Sequence, residues 1–293
     1  MGVISPVGND VNTFWSNLCN GVCGIDHIKS FPTDNLPVGI AGIIKDFKPE
    51  EYGMDKPFIR KQDLFTQYGV AAAYQAMKQS GLSSQGENID PFRLGVYFGS
   101  GIGGFATQYR EISKMIEDPS GQWISPLFIP TMISNIAAGH IAILNNAQGP
   151  CLDIVTACAT STNAMGEAFR AIRNGYADAI ITGGCENATI PIGIVGFANA
   201  KALSRATDPN YASLPFNGNR AGFVMADGSA ALVLEEYEHA KARGAQILGE
   251  MVGYGNTCDA YHSTAPRPDG TTQAKCIELA LEEAGFDKEK DNL

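Results

Sequence analysis

The sequence predicts an α/β fold in which helices lie against a largely parallel sheet. Two observations carry that expectation. Short, strongly apolar runs alternate with longer segments whose apolar residues recur every three or four positions. The short runs also break into glycine or other small residues before the next helix begins. In chain order, DLFTQYGVAAAYQAMKQSGL (63–82) reads as a helix, with Phe65, Tyr68, Ala72 and Ala76 on one face and Gly81 as its stop. RLGVYFGSG (93–101) reads as a buried strand entering glycines, SNIAAGHIAILNN (134–146) as a small-residue helix, and GPCLDIVTA (149–157) as a second strand. A helix follows over 161–174, with Met165, Ala168, Phe169 and Ile172 on one face and Gly175 at its end. DAIITGGCE (178–186) is a third strand and GFVMADGSAALVLEE (222–236) a paired-strand unit. EHAKARGA (238–245) is a short helix and ILGEMVGYGNT (247–257) a further strand. The loops 206–222 and 263–273 are rich in Pro, Gly and Asn and long enough to serve a site.

Composition narrows the function classes. A chain of 293 residues accommodates one large or two modest domains. Its 44% hydrophobic and 18% charged residues are ordinary for a globular protein. No apolar run reaches the roughly 18 residues of a membrane span, and MGVISPVGND lacks the charged-then-apolar layout of a secretory leader. The net charge of −10 argues against nucleic acid as a partner. Seven cysteines, an odd count, fit reduced thiols in a cytoplasmic setting. Cys19 and Cys23 form a lone C-x-x-x-C without a second pair or a histidine cluster, so no metal is expected.

One thiol stands apart. In CLDIVTACATSTNAMGEAFRAI (151–172), Cys158 falls between a strand and a helix, among Thr156, Ala157, Ala159, Thr160 and Ser161. A thiol at a helix amino end meets the positive end of the macrodipole and unpaired N–H groups, and both favour the nucleophilic thiolate. A tight strand-to-helix turn exposes the side chain and converges amides on one point, as an oxyanion hole requires. Small neighbours let the backbone turn and a substrate carbonyl approach. The competing reading is a cysteine that merely plugs a helix end.

Beyond its chemistry, TACATSTNAMGEAFRAIRNGYADAIITGGCE resembles the active-site segment of β-ketoacyl-acyl-carrier-protein synthases, the condensing enzymes of fatty-acid synthesis. SPVGND, VYFGSGIGG (96–104), GFANAKALS (196–204), PFNGNRAGFVMADGSAALVLEEYEHAKARGA and DAYHSTAPRPDG (259–270) resemble further family segments in the same order. Ile102 in the glycine loop is similar to the type II enzymes. The resemblance implies a thiolase-like fold of α-β-α-β-α layers, with residues 1–245 as the N-terminal half and 246–293 as the start of the second. It implies that Cys158 accepts an acyl group from acyl carrier protein, and that malonyl-carrier protein then condenses with it, losing CO2. Ile102 and Phe197 match positions lining the acyl pocket, and Thr264 one near the pantetheine arm. A homodimer and no redox cofactor are implied.

The sequence also departs from the family. The two family histidines, in H-G-T-x-T and K-S-x-x-G-H contexts, have no match among His27, His140, His239 and His262. The family's opening strand ends in T-G-x-G, whereas Met1 falls inside that segment, and the chain stops at EAGFDKEKDNL before the first histidine segment. The expectation is a fragment, inactive in condensation by itself. Leu214, Asn217, Ala226-Asp227 and Ser161 replace common Arg, Asp, Gly-Glu and Gly; Ser161 is expected either to narrow the approach to Cys158 or to cap the helix. Docking an acidic carrier on an acidic protein needs local positive charge, for which Lys56, Arg60 and Lys61, with Lys201 and Arg205, are the candidates. Three rivals stand beside this reading: a polyketide ketosynthase, a non-catalytic carrier-binding paralogue, and a dinucleotide-binding protein. The last rests on GSGIGG (99–104), but the stretch after it lacks the second strand and its acid.

Overall fold

Asp63 starts the helix that organises the fold. Its carboxylate accepts the Phe65 N–H at 3.5 Å and, through its other oxygen, the Thr107 N–H and Oγ1 at 2.9 and 2.7 Å. The helix, Leu64–Ser80, ends at Gly81 in the left-handed conformation (φ 66°), which glycine adopts without cost. Phe65, Tyr68, Ala72 and Ala76 are buried as the periodicity implies, but so are Thr66, Gln67 and Val70, because this helix is covered over most of its circumference, with Leu64 and Tyr74 left exposed.

The computed structural model describes residues 1–83 and 88–287. The chain runs β1 (Gly2–Ile4), α1 (Val11–Cys19), β2 (Asp26–His27), β3 (Ile40–Ala41), α2 (Lys56–Lys61), α3 (Leu64–Ser80), β4 (Leu94–Gly99), α4 (Phe105–Glu117) and α5 (Phe128–Met132). It continues with α6 (Ile136–Leu144), β5 (Cys151–Leu152), α7 (Thr160–Arg173), β6 (Ala179–Glu186), α8 (Pro191–Asn199), β7 (Gly228–Glu235), α9 (Tyr237–Ala242) and α10 (Thr271–Glu283). It divides into two compact units, Met1–His239 and Ala240–Leu293.

In the first unit the strands order as β1-β7-β6-β4-β5, while β2 and β3 pair separately. β4 is parallel to both β5 and β6, but β7 is antiparallel to β6 and β1, so the sheet is mixed rather than largely parallel. Strand side chains alternate between faces. Leu94, Val96, Phe98, Ala179 and Ile181 enter the core formed with α3 and α6, whereas Tyr97 and Ile180 pack on Ala168 and Ala171 of α7.

Several expectations are corrected. The segment 222–236 is not a paired-strand unit: it forms one strand, β7, with only single bridges from Phe223 to Leu203 and from Ala226 to Gly42. The strand expected over 149–157 pairs only at Cys151–Leu152, because the chain then turns off the ladder and brings the Ile154 carbonyl against Gly99. At the amino end, Gly2–Ile4 do pair, as a three-residue edge strand on β7. In the second unit no strand forms over 247–257. Gly253 and Gly255 instead lie against the α10 backbone, so close that a β-carbon at 255 would stand 1.9 Å from the Cys276 carbonyl oxygen. The Tyr254 N–H donates to Glu283 Oε2 of that helix (2.8 Å).

Candidate functional site

Parallel strands align their carboxyl ends, and open α/β sheets bind ligands beyond that edge. Three segments leave the sheet there: the glycine loop after β4, the turn after β5, and the end of β6 at Glu186. The second carries Cys158.

The turn is tight. Ala157 is held at φ 50°, a left-handed backbone that a residue with a β-carbon adopts only under constraint. Residues 157–159 make one 3-10 turn that leads directly into α7. Thr160 Oγ1 accepts the Thr156 N–H (2.9 Å), and Asn163 Nδ2 donates to Thr156 Oγ1 (2.9 Å), so the turn is tied to the helix it precedes. Thr160 is buried, whereas Cys158 is exposed. Gly99 makes the fit possible: a β-carbon there would stand 2.2 Å from the Ile154 carbonyl oxygen and 2.3 Å from Thr160 Cγ2. Ala159 is the N-cap of α7 and no side chain caps the first turn, so Ser161 does not cap. Nor is Ser161 simply turned to the approach side, because its backbone and β-carbon lie against Gly184 of β6, whose missing side chain makes room for it.

The glycine loop forms the opposite wall. Gly101 lies beside Ala157, its virtual β-carbon 3.7 Å from the Ala157 carbonyl oxygen. Glu186 Oε1 accepts from Ser100 Oγ (3.1 Å) and Oε2 from Gly101 N–H (2.8 Å), while Ser100 Oγ accepts the Gly103 N–H (2.9 Å). Burial pushes the Glu186 carboxyl up, and these donors work against that shift. Asp153, also raised by burial, accepts from Ser134 Oγ at 2.6 Å. Amides that a dinucleotide phosphate would need are therefore bonded within the protein, and the chain after α4 enters α5 rather than a second strand. Both facts count against dinucleotide binding.

Ile102 packs with Phe105 against the apolar cluster of Ile194, Ala198, Leu203 and Met225. Phe197, on the same helix α8, is 36% exposed and meets Phe223 edge-on with ring centroids 5.5 Å apart. The Ile102 loop thus borders both the Cys158 turn and the apolar cluster that includes α8. Thr264 belongs to the second unit, where it is exposed and its N–H donates to His262 Nδ1 (3.1 Å).

His140 meets Phe58 edge-on (4.9 Å) and burial lowers its pKa; His239 Nδ1 lies 2.6 Å from Glu235 Oε1; His27 is exposed on β2; His262 accepts the Thr264 and Ala265 amides. Of the proposed docking cations, Lys56, Arg60 and Lys61 all lie on α2, while Lys201 and Arg205 follow α8, and all five are exposed. Sequence reasoning missed Arg110 of α4, which joins Arg60 and Lys61 around a cleft of about 130 Å³ with Thr107 and Ser125.

A mixed sheet between helices, with a cysteine turn at the carboxyl edge of its parallel strands, defines the class: a thiolase-like enzyme scaffold. Comparison with known proteins makes it specific. A profile of the β-ketoacyl synthase N-terminal domain matches residues 1–240, and one of the C-terminal domain matches 248–290. The chain belongs to the β-ketoacyl synthase family. It is 46% identical over 291 residues to 3-oxoacyl-[acyl-carrier-protein] synthase 2 of Vibrio cholerae, spanning 99% of this chain and 69% of that protein. Against the Staphylococcus aureus enzyme of the same name, identity is 44%, spanning 98% and 68%. Among solved structures, a type II polyketide ketosynthase in complex with its acyl-carrier protein superposes with a TM-score of 0.87 at 31% identity, covering 98% of this chain and 68% of that one. A β-ketoacyl synthase from Burkholderia phymatum superposes at 0.85 and 28%, covering 98% and 70%.

Proposed function

We propose that this protein is a 3-oxoacyl-[acyl-carrier-protein] synthase of fatty-acid elongation and that Cys158 is its nucleophile. The carrying observation is the setting of Cys158: exposed, on a constrained turn at the uncapped amino end of α7, with Gly101 of the glycine loop beside the preceding Ala157. In the first half-reaction the Cys158 sulfur attacks the thioester carbonyl of an acyl-carrier protein. Backbone amides, that of Cys158 among them, hold the developing oxyanion. The carbon–sulfur bond to the carrier breaks, and the cysteine proton ends on the released pantetheine thiol. Ile102 and Phe197 line the acyl tail, and Thr264 meets the pantetheine arm. In the second half-reaction malonyl-carrier protein loses CO2, its carbanion attacks the acyl-cysteine, and Cys158 leaves as thiolate. None of the four histidines of this chain lies in the family's H-G-T-x-T or K-S-x-x-G-H context, so none is assigned that decarboxylating role.

The test is acyl loading. Incubation with acyl-carrier protein should add one acyl mass, on the peptide containing Cys158. Carrier binding without an adduct would favour the non-catalytic paralogue, and an adduct spread evenly over seven thiols would refute a privileged nucleophile. A polyketide role is the second reading, favoured by the polyketide ketosynthase among the similar structures. Its mark would be faster loading with poly-β-keto than with saturated donors.

Carrier docking is assigned to Lys56, Arg60 and Lys61 and to Lys201 and Arg205, with Arg110 added. Neither Arg60 nor Lys61 has an ion-pair partner among the described residues. Reversing both charges (Arg60→Glu, Lys61→Glu) is expected to weaken carrier affinity about tenfold or more at low salt, with the difference shrinking as ionic strength rises. Unchanged affinity by titration calorimetry would dismiss the patch. A homodimer belongs to the same reading, supported by the free edge of β5 and the exposure of Leu152 and Val155 beside it. So does a cytoplasmic setting, supported by seven free thiols.

A further inference from the structure

We infer that Glu186 is a positioning residue that holds Ile102 at the mouth of the acyl pocket, an inference that rests on the acyl-loading function proposed above. Glu186 is the last residue of β6, paired opposite Gly228 of β7, so its backbone is fixed by the middle of the sheet. From there one carboxylate collects the loop on both sides of Ile102. It accepts the Gly101 N–H directly and holds Ser100 Oγ, which in turn receives the Gly103 N–H. Residues 100, 101 and 103 are thus tied to a single side chain, and Ile102 between them has little freedom to move alone. Gly101 completes the contact. A β-carbon there would lie 2.8 Å from Glu186 Oε2 and 3.7 Å from the Ala157 carbonyl oxygen, so carboxylate, glycine and nucleophile turn are in close succession.

A buried carboxylate is costly unless its charge is met by donors. The nearest donors here belong to the glycine loop, and no cation is paired with Glu186 among the described residues. The group therefore depends on the loop as much as the loop depends on it. Gln at 186 keeps the shape but halves the acceptor capacity and adds an amide donor facing the Ser100 hydroxyl or the Gly101 N–H. With the Gln oxygen on the Gly101 N–H, its amide meets Ser100 Oγ, which must turn its own O–H away and accept instead; both loop contacts lose their carboxylate acceptor, and the loop carrying Ile102 is held less firmly.

A displaced Ile102 acts on the tail, not on the thioester. Glu186→Gln is expected to lower the loading rate at Cys158 with a palmitoyl donor relative to a butyryl donor by at least about tenfold, since misplacements near 1 Å carry effects of that size or more. Loading is followed by intact mass with both donors on the full chain. Ser100→Ala, which removes the hydroxyl linking Glu186 to Gly103, should shift the ratio in the same direction, and it carries the test should Glu186→Gln fail to fold. A palmitoyl-to-butyryl ratio equal to wild type in the folded variants overturns the assignment while leaving the nucleophile untouched. An equal loss with both donors overturns it too, because that is the signature of a general structural defect. Wild-type protein that loads neither donor refutes the proposed function itself, and the inference falls with it.

Discussion

Replacing Cys158 with alanine is expected to abolish acyl loading, with a loss greater than about 10³-fold, as when the nucleophile of a covalent enzyme is removed. The chain should otherwise be undisturbed. Cys158 is exposed, so losing its sulfur removes no core contact and stability should change by no more than about 0.5 kcal/mol. Three of the six remaining thiols are poor substitutes. Cys151, seven residues upstream, has its thiol pushed up by burial and by the nearby Asp153 carboxylate, which keeps it protonated. Cys185 is fully enclosed and raised much further by burial. Cys276 donates its S–H to the Gly255 carbonyl (3.2 Å). Cys158→Ser should fail nearly as completely, since a hydroxyl without an adjacent base is a far weaker nucleophile than a thiol. The measurement is intact mass after incubation with acyl-carrier protein, supported by iodoacetamide mapping in which Cys158 is alkylated ahead of Cys151. Residual loading of Cys158→Ala near the wild-type level would end the assignment.

How far the site could be read in the sequence depended on whether a residue's role was local. The turn at Cys158 is local chemistry: small residues between an apolar run and a helical period already indicate a strained junction, and Ala157 at φ 50° is its structural form. The long helix α3 and strands β4 and β6 were legible because an uninterrupted period and a glycine stop leave little room for another structure. Segments whose state is decided by a distant partner were not legible. The residues 247–257 have strand composition, yet they lie against α10. The strand at β5 is cut to two residues by the packing of Ile154 on Gly99, which no window around 149–157 contains. Short α2 was seen as a charge cluster and not as a helix, although Asp55 and Pro57 are a standard start, and Asp55 does accept the Phe58 N–H (2.8 Å). Glu186 carried a signal that went unread: an acid closing an otherwise apolar strand must meet donors at its end or remain uncharged. The same logic applies to Glu111, which carries the largest expected effect on stability.

Glu111 lies on α4, is 1% exposed, and holds three neighbours at once. Arg110 Nε donates to Oε1 at 2.9 Å, Lys114 Nζ bonds both oxygens at 2.9 and 3.0 Å, and the Ser125 N–H reaches Oε2 at 3.0 Å. Burial alone would raise its pKa, but Lys114, the Ser125 amide and Arg110 together outweigh it and draw the carboxyl down to about 2. Glu111→Ala should therefore destabilise the protein by about 3 kcal/mol, the lower end for a broken buried ion pair, because Arg110 and Lys114 still reach water and can be hydrated when it is gone. The Ser125 N–H also loses its acceptor, and the loop joining α4 to α5 loses its tether. The pH dependence fixes the mechanism. A carboxyl whose folded pKa lies below its unfolded value binds fewer protons in the native state, so its stabilisation is present above the ordinary carboxylate range and is lost as pH falls towards about 2. Asp153, Glu186 and Asp227, all raised by burial, contribute the opposite slope, so the comparison must be between wild type and Glu111→Gln at each pH. Urea titrations should show a wide gap between them at pH 7 that narrows steadily below pH 4.5, the ordinary value for glutamate. A gap constant with pH would mean that the side chain stabilises by packing and that its charge contributes nothing. Carrier affinity supplies an independent check, since neutralising Glu111 leaves Arg110 with more net positive charge around the cleft it shares with Arg60 and Lys61. Binding measured on folded Glu111→Gln should hold or strengthen, and a weakening would show that Glu111 orders that surface as well as stabilising it.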